Sequence, residues 1–242
     1  MTKILHDNLP TDLQPGQKLP GVRPLQGDAW LRVDEAYAAQ MAYRRDLIAH
    51  RRDQVLYQPP ESRAAMQEVL AEALKKLPSM GFSITSRHIF CPDGVKVDIE
   101  SDGPLAVLGQ AVQEDICIMI KQGDEHVLAA AVVCFPANWT LSEKAGRPLS
   151  SIHGPVDSYD ADLGRRVQRM FDLVRAEQPL WRNNYLRYAN PALFQQQSEN
   201  IKPSKHGTGY VRAERQCIAK LPVTGAVVFS IHTYVVSASA VS

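Results

Sequence analysis

From Val127 to Phe135 the chain runs through nine apolar residues without a break and stops at Pro136. A second apolar run, Ile116-Cys-Ile-Met-Ile120, precedes it across the polar segment Lys121-Gln-Gly-Asp-Glu125. Two apolar runs joined this way predict a β-hairpin with a longer loop. Strands this apolar need covering layers, so whatever flanks the hairpin must supply them.

The flanks read mostly as helix. Asp34 can cap a helix running toward Tyr57, with Arg44-Arg45 and Arg51-Arg52 on a solvated face. A second helix follows Pro59-Pro60. Its Met66, Val69, Leu70, Ala73, Leu74 and Leu77 recur at three- and four-residue spacing, and Pro78 and Gly81 end it. Short strands are expected over 82–90 and 95–99, around the turn Pro92-Asp-Gly94.

A third helix is expected over 158–177, capped by Asp157 or Ser158, with Asp160 and Asp162 in its first turn. Tyr159, Leu163, Val167, Met170, Phe171 and Val174 line one side of it. A loop rich in Asn, Gln and Pro follows, then a short helix over 212–221. The last element, 225–236, reads as a long strand that puts Ser230, His232 and Tyr234 on one face. Residues 1–30, with Pro10, Pro15, Pro20 and Pro24, read as an extended lead-in. The expected fold class is α+β, a mostly antiparallel sheet flanked by helices, in a single domain over 31–242.

Composition excludes more than it selects. A net charge of +1 gives no electrostatic reason to expect nucleic acid or an anionic membrane as partner. Cys91, Cys117, Cys134 and Cys217 form no CxxC pair, so neither a zinc ribbon nor a cysteine-held cluster is supported, and they read as reduced core thiols. No run reaches the ~20 apolar residues of a membrane span. The first ten residues lack the apolar core of a secretory signal, so the cytoplasm is the expected compartment. No glycine-rich phosphate cradle, HExxH or GxSxG occurs.

Candidate chemistry then rests on few residues. His153 sits on the Gly- and Pro-punctuated stretch after Phe135, followed by Gly154 and Pro155. It is placed to offer a ring nitrogen to a metal, although a half-buried structural histidine is the commoner outcome. His6, His50 and His206 are expected to be exposed. His88, His126 and His232 lie in or beside strands, where a histidine bonded to backbone is the ordinary result. Leu180-Trp-Arg-Asn-Asn-Tyr185 and Arg212-Ala-Glu-Arg-Gln216 concentrate guanidinium, amide and aromatic groups. Their arginines could clamp carboxylates, or serve as ion pairs fixing loops. Glu114 and Asp115 stand at a strand mouth, where acids are usually solvated and less often grip a cationic amine.

These segments together resemble a known family, the haem-dependent oxidative N-demethylase α-subunit group. The resemblance is carried by Val112-Gln-Glu-Asp115, Phe135-Pro-Ala-Asn-Trp139, Gly146-Arg-Pro-Leu149, Ile152-His-Gly-Pro-Val156, Arg182-Asn-Asn184, Arg212-Ala-Glu-Arg-Gln216, and Leu221-Pro with 226–236. They fall in family order over about half the chain. The resemblance implies a PAS-like domain holding haem b, with His153 as the axial iron ligand. It also implies Arg182, Asn184, Arg212, Arg215 and Gln216 near the haem, and Glu114, Asp115 and Tyr185 as candidate catalytic groups. Tyr185 stands where the family tends to carry tryptophan.

The implied activity is oxidation of an N-methyl group on a small amine by dioxygen, with release of formaldehyde. The chain has no flavin, nicotinamide or iron–sulfur motif, so electrons are expected from separate flavin and iron–sulfur reductase subunits, in a hetero-complex or oligomer. A haem-based sensor and a haem-free interaction subunit are the alternatives.

Overall fold

The computed structural model describes residues 3–13, 21–27, 29–153, 161–198 and 207–241, with the side chains of residues 153 and 161 left out. Its centre is a seven-stranded antiparallel sheet in the order β1-β8-β9-β10-β6-β7-β2. The expected hairpin forms its core: β6 (Asp115–Gln122) pairs with β7 (Glu125–Val132), with a bulge between Ile118 and Met119. β10 (Val227–Ser237) lies against β6 on one side and along eleven residues of β9 (Tyr210–Lys220) on the other. β8 (Leu180–Tyr188) follows, edged by β1 (Arg23–Pro24), while β2 (Leu56–Tyr57) closes the far side.

Two of these strands depart from the expectation. Residues 212–221 form strand, not helix, and 180–188 form strand where a loop was expected. Both are charged and amide-rich, which hides the period-two signal. Alternation is nevertheless present: Val211, Ala213 and Cys217 face one side, and Arg212, Glu214 and Gln216 the other. Polar residues are tolerated mid-sheet here because they pair with each other across the strands.

Helices cover both faces. On one side lie α1 (Tyr37–His50), α3 (Arg63–Lys76) and α4 (Pro104–Ala111), whose Met41, Leu47, Val69, Leu70, Leu105 and Leu108 pack on Ile116, Ile118, Val132 and Val228. Gly109 permits that closeness, since a Cβ there would come within 2.7 Å of Val132 and 2.8 Å of Ile48. α3 keeps its predicted stripe, and a 3-10 turn through Pro78 ends at Gly81, whose φ of 88° favours glycine. α1 stops at His50, and the short α2 (Arg52–Val55) leads into β2.

On the other face α5 (Leu141–Lys144), α6 (Leu149–His153) and α7 (Ala161–Leu173) bury Leu141, Leu149, Phe171 and Val174 against Cys117, Met119, Ile218 and Val227. The cap expected at Asp157 or Ser158 lies outside the described residues. A small sheet of β3 (Ser83–Ile84), β4 (His88–Phe90) and β5 (Lys96–Asp98) forms where short strands were expected, but 82–90 is folded into two antiparallel strands rather than one.

Other expectations fail for identifiable reasons. Arg44 is fully buried, not solvated, because it lies on the apolar face of α1 between Gln40, Met41, Leu47 and Ile48. Its guanidinium meets Asp115 at 2.6 Å and three carbonyls of residues 109, 113 and 114. His6 is buried rather than exposed, and β1 makes part of the expected lead-in a strand of the sheet. His50 is exposed as expected, and His206 lies outside the described residues. All four cysteines are free and buried, and no helix among the described residues is long and apolar enough to cross a membrane.

Candidate functional site

Cross-strand register places Arg182 opposite Gln216, Asn184 opposite Glu214, and Glu214 opposite Thr233, all on the face covered by α5–α7. They form a connected ladder. Arg182 donates from Nη1 to Gln216 Oε1 at 2.7 Å, and Gln216 Nε2 donates to Glu214 Oε2 at 3.1 Å. Asn184 Nδ2 reaches the same oxygen at 3.4 Å. Arg212 donates from Nε to Glu214 Oε1 at 3.0 Å and binds the carbonyls of Leu193 and Phe135. Glu214 is thus the hub, although nothing distinguished it from its neighbours in the sequence.

The ladder is under-neutralised, with two guanidinium groups sharing one carboxylate. Arg212 takes that carboxylate directly, leaving Arg182 a neutral amide oxygen. Burial pulls the Arg182 guanidinium below its usual value, and the attraction of Glu214 does not restore it. Among the described residues its buried Nε has no hydrogen-bond partner, and neither does the buried Oγ1 of Thr233. An orphaned donor on a half-buried cation costs free energy unless an anion meets it. Around the ladder the face is apolar, with Ile218, Phe229 and Leu180 in the sheet and Trp139, Ile152 and Met170 against the same cluster. His153 is the last residue of α6, next to Ile152, and its side chain lies outside the described residues.

The other named residues do different work. Asp115 accepts from Arg44 and from the main-chain N–H groups of Cys134 (2.7 Å) and Phe135 (2.9 Å). Glu114 Oε1 accepts from the Arg32 amide at 2.8 Å and from His232 Nδ1 at 2.9 Å, while its Oε2 is buried without a partner among the described residues. Neither acid is a solvated strand-mouth group. Arg215 and Tyr185 face the opposite side of the sheet from Arg182 and Asn184. Arg215 binds the carbonyls of Ala29 and Trp30 and lies 5.5 Å from the Trp181 ring; Tyr185 packs on the main core. The structure therefore brings together Arg182, Asn184, Arg212 and Gln216, and leaves Glu114, Asp115, Tyr185 and Arg215 out of that group.

On the opposite face lies a second polar cluster around His232, whose face with Ser230 and Tyr234 the sequence showed but whose partners it did not. His232, fully buried, holds Glu114 through Nδ1 and Asp34 Oδ2 through Nε2 at 2.8 Å, rather than backbone. Asp34 Oδ2 also meets His6 Nε2 at 3.0 Å, and its Oδ1 accepts from the Ala36 amide and from Gln113. Asp34 is not the expected cap, since the N-cap of α1 is Ala36 with no side-chain cap bond; it ties three segments together instead. Tyr234 lies against both imidazoles, with ring centroids at 4.9 Å and 4.7 Å. His126, by contrast, is an ordinary strand histidine, held by Gln168 of α7 at 2.7 Å and kept below its usual pKa by burial.

A family model described as haem-dependent oxidative N-demethylase, alpha subunit-like, matches residues 21–242. The chain belongs to that family.

Proposed function

We propose that this member of the haem-dependent oxidative N-demethylase α-subunit-like family is the haem-carrying oxygenase component of an N-demethylase. The observation that carries this reading is Arg182, a half-buried cation with an unfilled donor on an apolar face. A haem asks for an apolar bed, a basic group for its propionates and an axial donor. The described residues fit the first two requirements, and His153, next to Ile152 on the same side, is our choice for the third.

In this reading Arg182 receives a propionate through Nε, where a charge-assisted bond would relieve its unmet desolvation. Gln216 fixes the angle of that guanidinium, and Glu214 fixes Gln216. Arg212 anchors the hub to the carbonyls of Leu193 and Phe135, so the ladder reaches the start of the stretch that runs through α5 to α6. Asn184 completes the row. Glu114 and Asp115 act as framework. The PAS-like character of the domain and the identity of the cofactor as haem b belong to this proposal.

The bound haem supplies the oxidising chemistry: dioxygen, two electrons and two protons convert an N-methyl group to a carbinolamine and water. The carbinolamine then breaks its C–N bond to give formaldehyde and the demethylated amine. Electrons would come from separate flavin and iron–sulfur subunits, in keeping with the α-subunit character of the family. The substrate is a small methylated amine, and the cytoplasm is the proposed compartment.

The test is spectroscopic before it is catalytic. Purified or haemin-reconstituted protein should show a Soret band, lost in His153→Ala and weakened in Arg182→Gln. Formaldehyde should appear with dioxygen, a reductant and methylated amines. Haem retained by His153→Ala removes that ligand, and a protein that never takes up haemin removes the whole reading. Gas binding without formaldehyde would favour a sensor.

A further inference from the structure

We infer that Lys144 is a positioning residue for the haem iron: its ammonium group pins the last turn of α6 and so holds in place the backbone that carries His153. The inference rests on the reading of His153 as axial ligand. Lys144 Nζ donates to the main-chain carbonyl of Ile152, the residue just before His153, at 2.6 Å.

α6 has five residues, far fewer than the ~12–15 at which an isolated helix becomes even marginal in water, so its shape is set by what it touches. Its start is tied to β7 and to the turn after it. The Leu128 amide donates to the Arg147 carbonyl at 3.0 Å, and the Gly146 amide to the Leu128 carbonyl at 2.9 Å. Val127 forms an antiparallel bridge with Pro148, and Ser150 Oγ donates to Glu125 Oε2 at 3.0 Å. Leu149 is buried in the apolar cluster with Leu141 and Phe171.

Those ties fall on residues 146–150. At the other end of the helix, Ile152 packs on the same cluster, its amide donates to the Pro148 carbonyl at 3.0 Å, and its carbonyl takes the lysine. Apolar contact has no preferred direction, whereas the lysine bond fixes a distance and an angle. It also satisfies one of the carbonyls that a helix end leaves open.

Lys144 is itself well anchored. It ends α5, where Leu141 is buried, the Ala145 amide donates to the Leu141 carbonyl at 2.9 Å, and the Arg147 amide donates to the Lys144 carbonyl at 3.1 Å. Donor and acceptor are eight residues apart, so the bond closes a short loop between one anchored turn and the next. The side chain is half-buried, which limits screening of its charge. That charge, held next to the backbone of His153, favours ferrous over ferric iron.

The experiment compares the full chain with Lys144→Met, Lys144→Arg and His153→Ala, before and after haemin is added. Without haemin, exchange of the Ile152 amide should speed up about tenfold in Lys144→Met and stay unchanged in Lys144→Arg. With haemin, Lys144→Met should bind about tenfold more weakly, the ordinary loss when a group that orients a metal ligand is removed, and its reduction potential should fall. Lys144→Arg keeps both charge and donor, and should restore affinity and potential.

If His153→Ala loses haem while Lys144→Met keeps its affinity and potential, the role of Lys144 is overturned and the ligand stands. If His153→Ala retains haem, the ligand falls and the role of Lys144 at the iron falls with it. Weaker binding with an unmoved potential and no rescue by arginine marks a plain loss of stability, and overturns the inference as well.

Discussion

The two faces of the sheet carry polar clusters of opposite character. On the side of α5–α7, two guanidinium groups share one carboxylate and Arg182 is left with an empty donor. On the other side, two carboxylates share one imidazolium, and all four acceptor positions counted on Asp34 are used. A cluster whose cation is doubly paired holds a fold together, even with Glu114 Oε2 unmet among the described residues. One that leaves a cation under-served is prepared for something that arrives later. His232 and Thr233, neighbours on β10, turn to the two clusters, so burial alone does not separate the site from the framework.

That contrast can be broken experimentally. The largest effect should come from Glu214→Leu, which strips both ladder arginines of their carboxylate and should cost about 3–5 kcal/mol in denaturant unfolding. Recovery of near-native stability there would mean the ladder is already neutralised by other means. Next is His232→Gln, whose pH-dependent cost should be about 2–3 kcal/mol at pH 6 and fade to nothing above about 9; a cost that grows with pH reverses the sign and the assignment.

Arg182→Met should behave in the opposite way. With no haemin present its stability should change by less than about 1 kcal/mol, because an unmet cation gives way to apolar packing. Haemin binding should fall about tenfold or more, the value of one charge-assisted hydrogen bond. If stability collapses instead, Arg182 belongs with the framework. Arg165→Ala on α7, an exposed partner of Asp162, sets the floor at under about 0.5 kcal/mol by the same unfolding measurement.

How far the sequence could be read depended on how apolar each element is. The hairpin of β6 and β7, the stripe of α3 and the alternating β10 were visible because hydrophobic period and structure coincide. β8 and β9 were not, since Arg182 and Asn184 find Gln216 and Glu214 across strands and all four look like loop or helix residues along the chain. The Arg-x-Glu-Arg-Gln string was recognised as important, yet its split was hidden: Arg212 and Gln216 turn to one face, Arg215 to the other. Arg44 was legible in principle, falling in helical register with Met41, Leu47 and Ile48. His6 was not; its partners, Asp34 and Val235, stand 28 and 229 positions away.

β10 alternates Phe229, Ile231 and Thr233 toward the ladder with Ser230, His232 and Tyr234 toward the Glu114–Asp34 cluster. Deleting a single residue near its start would turn the strand inside out, sending an imidazolium among apolar side chains and isoleucine among carboxylates. The eleven matched positions along β9 are thus a safeguard for both chemistries at once. Evolution can tune either side by point changes, but cannot lengthen or shorten that strand without forfeiting the two together.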